Sequence, residues 1–379
     1  EKLHSLAALL RKNNIAFGFG AATGNATGLN YFTGKTEAFS ISREDLVISA
    51  YQPHSNMLRV LFEPVSHLSD SVTYDITTWA LPYAYGLTSY AVKQSLRPLT
   101  GAPEMPSNTP LSAQKPYAYL ARWNSIRDAK FLASLLQKQV KVRFTEAPFT
   151  VGGKDFAPGT LVITRSGNER KGGQFDELIT TEANRLGILL DAVSSGFVDK
   201  GTDFGSDKIR FIKQPRIMML TGDDASSLGV GEVWHFFEQQ LHFPVTVVNE
   251  RNMDAISWDQ TDVLILPDGI YKIFTDKAAA ARLKEWISNG GKLIAMETAA
   301  VQLAGADWGI KLKKEEEQKE DDEKKAAAHP YEAVKPYANR ERESVKQFIP
   351  GAIYKVQLDV THPLAFGYPA FYYTLKQDA

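Results

Sequence analysis

From residue 214 onward, short apolar segments alternate with helical patterns, and this alternation constrains the fold more than any other feature of the sequence. Three segments are almost wholly apolar, which is typical of strands buried on both faces of a parallel sheet: "RIMML" (216–220), "PVTVVN" (244–249) and "DVLILP" (262–267). A helix is predicted from Asp276 to Asn289, with Thr275 as its cap, and "KLIAME" (292–297) follows as another strand. The pattern predicts a doubly wound α/β sheet with parallel strands.

The first part of the chain contains a candidate internal repeat. "LAALLRKNNIAFGF" (6–19) is echoed by "LASLLQKQVKVRFT" (132–145), and "REDLVISAYQ" (43–52) by "PGTLVITRSG" (158–167). In each copy a leucine-rich helical pattern precedes alternating apolar residues, as in a half-buried strand. We therefore expect a repeated helix-strand-strand module, although matches as short as "LVI" also arise by chance.

These patterns predict two domains, 1–213 with the repeated module and 214–379 with the parallel sheet. Five prolines between residues 96 and 116 prevent regular hydrogen bonding and indicate a linker or long loop. The run 311–325 has 13 charged residues in 15, which is typical of a solvated helix or a disordered insertion; a binding tail is the alternative.

Composition excludes several classes of function. Lys and Arg number 43 against 44 Asp and Glu, so no net charge attracts nucleic acid or an anionic membrane. The absence of cysteine excludes disulfides, thiolate zinc sites and a cysteine nucleophile. No apolar run reaches membrane-spanning length, and both ends of the sequence lead us to expect a piece of a longer polypeptide.

Two histidines and a glutamate suggest a zinc site within "VWHFFEQQLH" (233–242). On one α-helix, His235, Glu238 and His242 would share a flank and could reach a surface metal. We favour a solvated flank, because the sequence offers no further carboxylate to orient these ligands, and we predict that zinc is not bound tightly. His362 precedes a proline and is predicted to shape a loop.

Segments along most of the chain resemble one protein family. Residues 46–87 ("LVISAYQPHSNML" to "LPYAYGL") resemble a segment found beyond the catalytic domain of large bacterial zinc carboxypeptidase-like proteins of the carboxypeptidase A type. Four further segments resemble the class I glutamine amidotransferase-like domain of that family: "IMMLTGDDASSLGVGEVWHFFEQQL", "GGKLIAMETAAVQLA", "KPYANRERESVKQFIPGAI" and "THPLAFGYP".

The resemblance implies a flavodoxin-like fold for this second domain and a secreted or periplasmic location. No segment resembles the family's catalytic domain, so we expect no cofactor here and zinc only in the catalytic domain of a longer parent protein. Active relatives of the amidotransferase class carry a cysteine at a tight strand-helix turn; "AMETAAVQLA" (295–304) has Glu297 there, and Ala299 replaces a nearby glycine. We expect Glu297 to cap its helix or to meet a cation, away from any histidine.

Two segments are candidate binding sites. "TGDDASS" (221–227) follows the first core strand, where α/β sheets bind ligands, and offers Asp223, Asp224, Ser226 and Ser227. The two acids would repel phosphate, so a sugar hydroxyl, a domain interface or a merely capped turn fits better. "YDITTWALPYAYG" (74–86) offers Trp79, Tyr83 and Tyr85 as interface anchors, and core packing explains them equally well.

The function expected from these observations is that of a non-catalytic accessory region of a zinc carboxypeptidase-like metallopeptidase. It would support or position the protease domain, its main partner, and help to engage a peptide or glycan. The alternative is a carbohydrate- or ligand-binding module with an inert amidotransferase-like domain. A hydrolase that uses Glu297 as nucleophile or base is the third hypothesis.

Overall fold

The computed structural model describes residues 2–20, 24–65, 80–96, 108, 115–305, 308–310, 336–345 and 352–376. The chain divides into two compact units, one made of residues 1–106 with 328–379 and the other of residues 107–327. This division differs from the expected boundary at 213/214. The segments on either side of residue 214 belong to one unit because the helix at 126–137 contacts the helical segment at 236–241.

The described residues between 2 and 91 form a small antiparallel arrangement with helices around it. Strand β1 pairs with β4, and β2 lies between β3 and β5. Leu6, Leu10 and Ile15 supply much of its core. The elements are α1 (Lys2–Lys12), β1 (Gly18–Phe19), β2 (Gly24–Asn30), β3 (Thr36–Ile41), β4 (Leu46–Val47), α2 (Ser55–Phe62), α3 (Leu81–Tyr85) and β5 (Tyr90–Ala91).

Residues 118–211 form a five-stranded antiparallel sheet in the order β11-β6-β10-β7-β13 and a small sheet in the order β12-β8-β9. Helices α4 and α5 pack on the larger sheet through Phe131, Leu135 and Ile179, which are fully buried. The elements are β6 (Ala118–Ala121), α4 (Ile126–Gln137), β7 (Arg143–Thr145), β8 (Phe149–Val151), β9 (Lys154–Phe156), β10 (Leu161–Thr164), α5 (Phe175–Leu186), β11 (Leu190–Val193), β12 (Lys200–Gly201) and β13 (Ile209–Phe211).

Residues 217–305 form the parallel sheet that the sequence predicts, with strand order β15-β14-β16-β17. The mixed α/β class and the parallel arrangement of these four strands are thus confirmed. The helix expected after Thr275 is capped by Asp276 instead, whose carboxylate accepts a hydrogen bond from Ala279 N at 2.8 Å. The elements are β14 (Ile217–Thr221), α6 (Ser227–His235), β15 (Thr246–Asn249), β16 (Val263–Leu266), α7 (Lys277–Ser288), β17 (Lys292–Ala295) and α8 (Thr298–Gly305).

The last described segments are helix α9 (Arg340–Val345) and the antiparallel strands β18 (Ala352–Gln357) and β19 (Phe371–Lys376). His362 lies in the loop between these two strands, as predicted, and its Nδ1 accepts a hydrogen bond from Leu364 N. The charged run 311–325 and most of the proline-rich stretch 96–116 lie outside the described residues. In the described part of the chain, no helix is long and apolar enough to cross a membrane.

Candidate functional site

The carboxyl ends of the parallel strands collect acidic residues at one edge of the sheet. Strands β14 and β16 are neighbours although β15 lies between them in sequence, which makes their boundary the point where such sheets bind ligands. The acids that follow the four strands are Asp223 and Asp224, Glu250, Asp268, and Glu297. An acidic edge disfavours anions and suits hydroxyl groups or a cationic partner.

The four residues predicted after β14 form a capped and largely solvated turn. Ser226 is the N-cap of α6, and its Oγ accepts a hydrogen bond from Gly229 N at 3.2 Å. Asp223 forms an exposed ion pair with Arg251, and Asp224 and Ser227 are exposed. Ser226 therefore has a structural role, while the acidic side chains remain accessible to a ligand or partner.

Hydrogen bonds on either side of Gly269 connect this turn to the turn after β16. Ser226 N donates to Asp268 O at 2.9 Å, and Ile270 N donates to Asp224 O at 3.1 Å. At Gly269, φ is +154°, and an added Cβ would lie 2.7 Å from Ala225 Cα. A glycine is therefore required where the two turns meet, and the sequence alone gave no sign of this contact.

Glu297 adopts the backbone conformation of a tight strand-helix turn, with φ of 48°, and its side chain is exposed. Among the described residues its carboxylate meets neither the helix amide nor the cation that we expected. Thr298 N, at the start of α8, donates instead to Asp268 Oδ1 at 3.2 Å. The helix start is capped from the neighbouring strand, because Asp268 follows β16 directly beside β17.

Three residues that sequence reasoning missed fix the loop beneath this edge. Glu250 is only 8% exposed, and its carboxylate accepts hydrogen bonds from Lys272 N and Ile273 N. Gln302 donates to Tyr271 O and accepts from Tyr271 N, both at 2.8 Å. Burial, followed by the charges of Glu250 and Asp268, raises the pKa of Tyr271 to about 12, and its hydroxyl donates to Pro267 O. The one sequence signal for these residues was the position of the Glu250 carboxylate directly after an apolar strand.

Two clefts open on the unit formed by residues 107–327. Their volumes are about 140 and 130 Å³, below the ~300 Å³ at which pockets for drug-sized ligands begin. The larger lies by the acidic edge and is lined by Glu250, Arg251, Met253, Asp254, Trp258, Ile273, Asp276, Ala278, Ala279 and Arg282. The smaller is lined by Lys130, Ser134, Gln137, Lys138, Arg185, Leu186, Leu241 and His242.

The three residues of the suggested zinc motif do not share one helix face. Helix α6 ends at His235, residues 236–241 form a π-helix, and His242 follows in the left-handed region with φ of 53°. The wider π-helical turn rotates Glu238 and His242 away from the positions that an α-helix would give. Within the described ranges, no group of three His, Asp or Glu residues is arranged to hold a metal ion.

The predicted tyrosine anchors take part in packing. Tyr83 OH donates to Tyr31 O at 2.8 Å, and its ring lies 5.2 Å from that of Tyr373. Burial, followed by the neighbouring Tyr83, raises the pKa of Tyr31 to about 12. Tyr85 packs against the core around α1, and Trp79 lies outside the described residues.

Comparisons with protein-family models, curated proteins and solved structures find no match to this chain. The resemblance to zinc carboxypeptidase-like proteins therefore depends on the sequence segments quoted above. What it implies for function is a proposal, to be judged against the geometry of the acidic edge.

Proposed function

We propose that this chain is a non-catalytic accessory region of a zinc carboxypeptidase-like protein and that it supports or positions the protease domain. The parallel-sheet segment is then a degenerate class I glutamine amidotransferase-like domain. Its strand order, 2-1-3-4 in order of sequence, agrees with the first four strands of a flavodoxin-like sheet.

The turn after β17 is the observation that carries this proposal. Amide hydrolysis in this class needs a strong nucleophile and free backbone amides that stabilise the oxyanion. Here the turn offers an exposed carboxylate, which is a weak nucleophile toward amides, and the first amide of α8 is already bonded to Asp268. The elbow-like backbone at Glu297 is thus retained without the groups that the chemistry requires.

We also infer that residues 2–91 and 126–201 are two copies of one module. In both, a helix leads to a strand, a hairpin and a strand that returns to pair with the first. The register agrees, since Phe19 pairs with Leu46 as Phe144 pairs with Leu161. In both, a later short strand, β5 or β12, joins the first strand of the hairpin. Superposition of the two segments tests the inference. Different paths of the chain in the two segments would contradict it.

The accessory role is tested by the sequence of the complete reading frame and by a binding assay with purified proteins. The reading frame that contains this chain should encode a zinc carboxypeptidase domain upstream, with a histidine-glutamate metal motif of its own. That domain, produced separately, should bind the present chain and gain stability or activity from it. A parent protein without such a domain would contradict the proposal. So would a carboxypeptidase domain whose activity and stability are the same with and without the chain.

A glycan-binding module is the second candidate, favoured by exposed tyrosines on the last two strands. The pairing of Val356 with Tyr372 puts Tyr354 and Tyr372 on the same face, where they are 43% and 37% exposed. Tyr368, 50% exposed, lies 5.2 Å from Tyr372. Flat amphipathic rings of this kind can stack on sugar rings. Retardation in polysaccharide gels that Tyr372→Ala abolishes and Tyr337→Ala leaves intact would favour this candidate.

A further inference from the structure

A cationic cleft lies between α4, α5 and the π-helical segment 236–241, far in sequence from the acidic edge. We call it the α4–α5 cleft and define it by Lys130, Lys138, Arg185 and His242. All of its lining residues belong to the unit 107–327. It includes one residue of the motif that first suggested zinc.

One carboxylate beside this cleft, Glu182, already accepts hydrogen bonds from two of its cations. Glu182, 8% exposed, accepts from Arg185 Nη2 at 2.9 Å, Ser134 Oγ at 2.9 Å and Lys138 Nζ at 3.1 Å. Burial alone would raise the pKa of Glu182, but the hydrogen bonds from Arg185, Ser134 and Lys138 lower it on balance. Glu182 is therefore ionised near neutral pH and offsets one of the two cations that it contacts.

Lys130 adds a further positive charge on the same wall. It lies four residues before Ser134, so the two share one face of α4, and Lys138 follows as the C-cap residue of this helix. Its side chain is half-buried, and in the described part of the chain its ammonium has no hydrogen-bond or ion-pair partner. The three cations of the α4–α5 cleft and the adjacent Glu182 carboxylate together carry a net formal charge of about +2. The Lys130 ammonium is therefore available to donate hydrogen bonds to a bound anion.

The π-helical turn completes the opposite wall. It ends at His242, whose left-handed backbone lets its carbonyl accept a hydrogen bond from Gln137 Nε2 at 2.6 Å. His242 Nδ1 lies 3.1 Å from Glu238 O, an acceptor, so the proton is on Nδ1 and the ring is held in one orientation. Turns of π-helix inside α-helices are frequent at functional sites.

We propose that the α4–α5 cleft binds a small oxyanion with the chemistry of a phosphate or sulfate group. Lys130 and Arg185 supply charge-assisted hydrogen bonds, for which Arg185 Nη1 and all three ammonium hydrogens of Lys130 are free within the described residues. The volume of about 130 Å³ suits one such group and not a nucleotide. This inference stands apart from the accessory role and does not depend on it.

Titration of the full chain with inorganic phosphate, followed by calorimetry at low ionic strength, tests the site. We expect saturable one-to-one binding that Lys130→Gln weakens about tenfold, the loss expected for one hydrogen bond to a charged group. Lys130→Arg should retain most of the affinity. Lys277→Gln is the matched control, because it removes the same charge from an exposed position on α7 and should leave the affinity within about twofold.

Two further arms identify the source of the oxyanion. Glycerol phosphate, a phosphomonoester, competes with inorganic phosphate, and tighter binding of either one names the natural form. Acetate should bind more weakly than both, since it offers fewer acceptor oxygens. Absence of saturable phosphate binding, or equal weakening by Lys130→Gln and Lys277→Gln, would overturn the proposal.

Discussion

Single residues at the strand ends set the geometry of the acidic edge. Glu297 keeps a left-handed backbone, which costs a residue with a side chain roughly 1–2 kcal/mol, yet its carboxylate has no polar contact among the described residues. Asp268 performs the capping that we expected of Glu297. Such a substitution of roles depends on which strands are neighbours, and a linear sequence does not contain that information.

Gly269→Ala should destabilise the unit severely. The new methyl group would lie 2.7 Å from Ala225 Cα, at a φ of +154° that residues with side chains rarely adopt. Steric strain of this kind costs at least about 2 kcal/mol of unfolding free energy. Gly231→Ala is the control, because its Cβ would meet nothing within 4 Å in helix α6 and should stabilise by about 0.5–1 kcal/mol. Urea unfolding of both variants measures the difference; equal effects would contradict the role assigned to Gly269.

At the scale of elements, the helices that begin the two proposed modules correspond differently in structure and in sequence. The structural correspondence is shifted by one residue from the sequence match. Ile15 N donates to Leu10 O and Val140 N donates to Leu135 O, so Leu10 corresponds to Leu135, whereas the sequence match aligned it with Leu136. Asn14 and Gln139 take the same left-handed position after these helices, with φ of 53° and 56°. The shift arises because the helix end is set by backbone geometry, which repeated leucines do not report.

Gln139→Gly should stabilise the chain by about 1 kcal/mol, because glycine adopts the left-handed position after a helix without strain. Asn14→Gly should give a smaller gain, since asparagine tolerates this conformation better than glutamine. Thermal unfolding of the two variants checks the order. A larger gain at residue 14, or a loss at residue 139, would show that the two helix ends are not equivalent.

An ion pair between the residues that immediately precede β14 and β16 predicts how stability depends on pH. Arg216 donates to Asp262 through Nε and the backbone N, both at 2.9 Å, and the hydrogen bond from the Arg216 side chain is the main cause of the lowered pKa of Asp262. A carboxylate whose pKa is lowered by folding stabilises the folded state when the pH is above its unfolded pKa of about 4. This contribution decreases progressively as the pH falls below that value. The unfolding free energy lost in Asp262→Asn should therefore be largest near pH 6 and shrink toward pH 2.5.

Asp259→Asn serves as the control for this measurement. It removes the charge of a nearby carboxylate, which in the described part of the chain accepts a hydrogen bond only from Gln260. This substitution should change stability little at either pH. A loss in Asp262→Asn that does not vary with pH would mean that packing, and not ionisation, accounts for the role of Asp262.

For the whole molecule, the sequence predicted what depends on local pattern. The parallel strands were predictable because "RIMML" and "DVLILP" are too apolar for any but a buried position, and Leu220 and Leu264 are fully buried. The grouping of residues 107–327, the contact between the turns at Ala225 and Gly269, and the burial of Glu250 arise from residues distant in sequence. The π-helix before His242 replaced an expected α-helix, and it removed the shared face on which the zinc hypothesis depended.

Hydrolysis of amides by the full chain distinguishes an inert accessory region from an enzyme that uses Glu297. Release of ammonia from glutamine, and of C-terminal residues from peptides, would be measured with and without added zinc for the unaltered chain and for Glu297→Gln. We expect no turnover above the buffer rate in either protein. Turnover by the unaltered chain that Glu297→Gln abolishes, in a variant that folds normally, would contradict it and make Glu297 a catalytic residue.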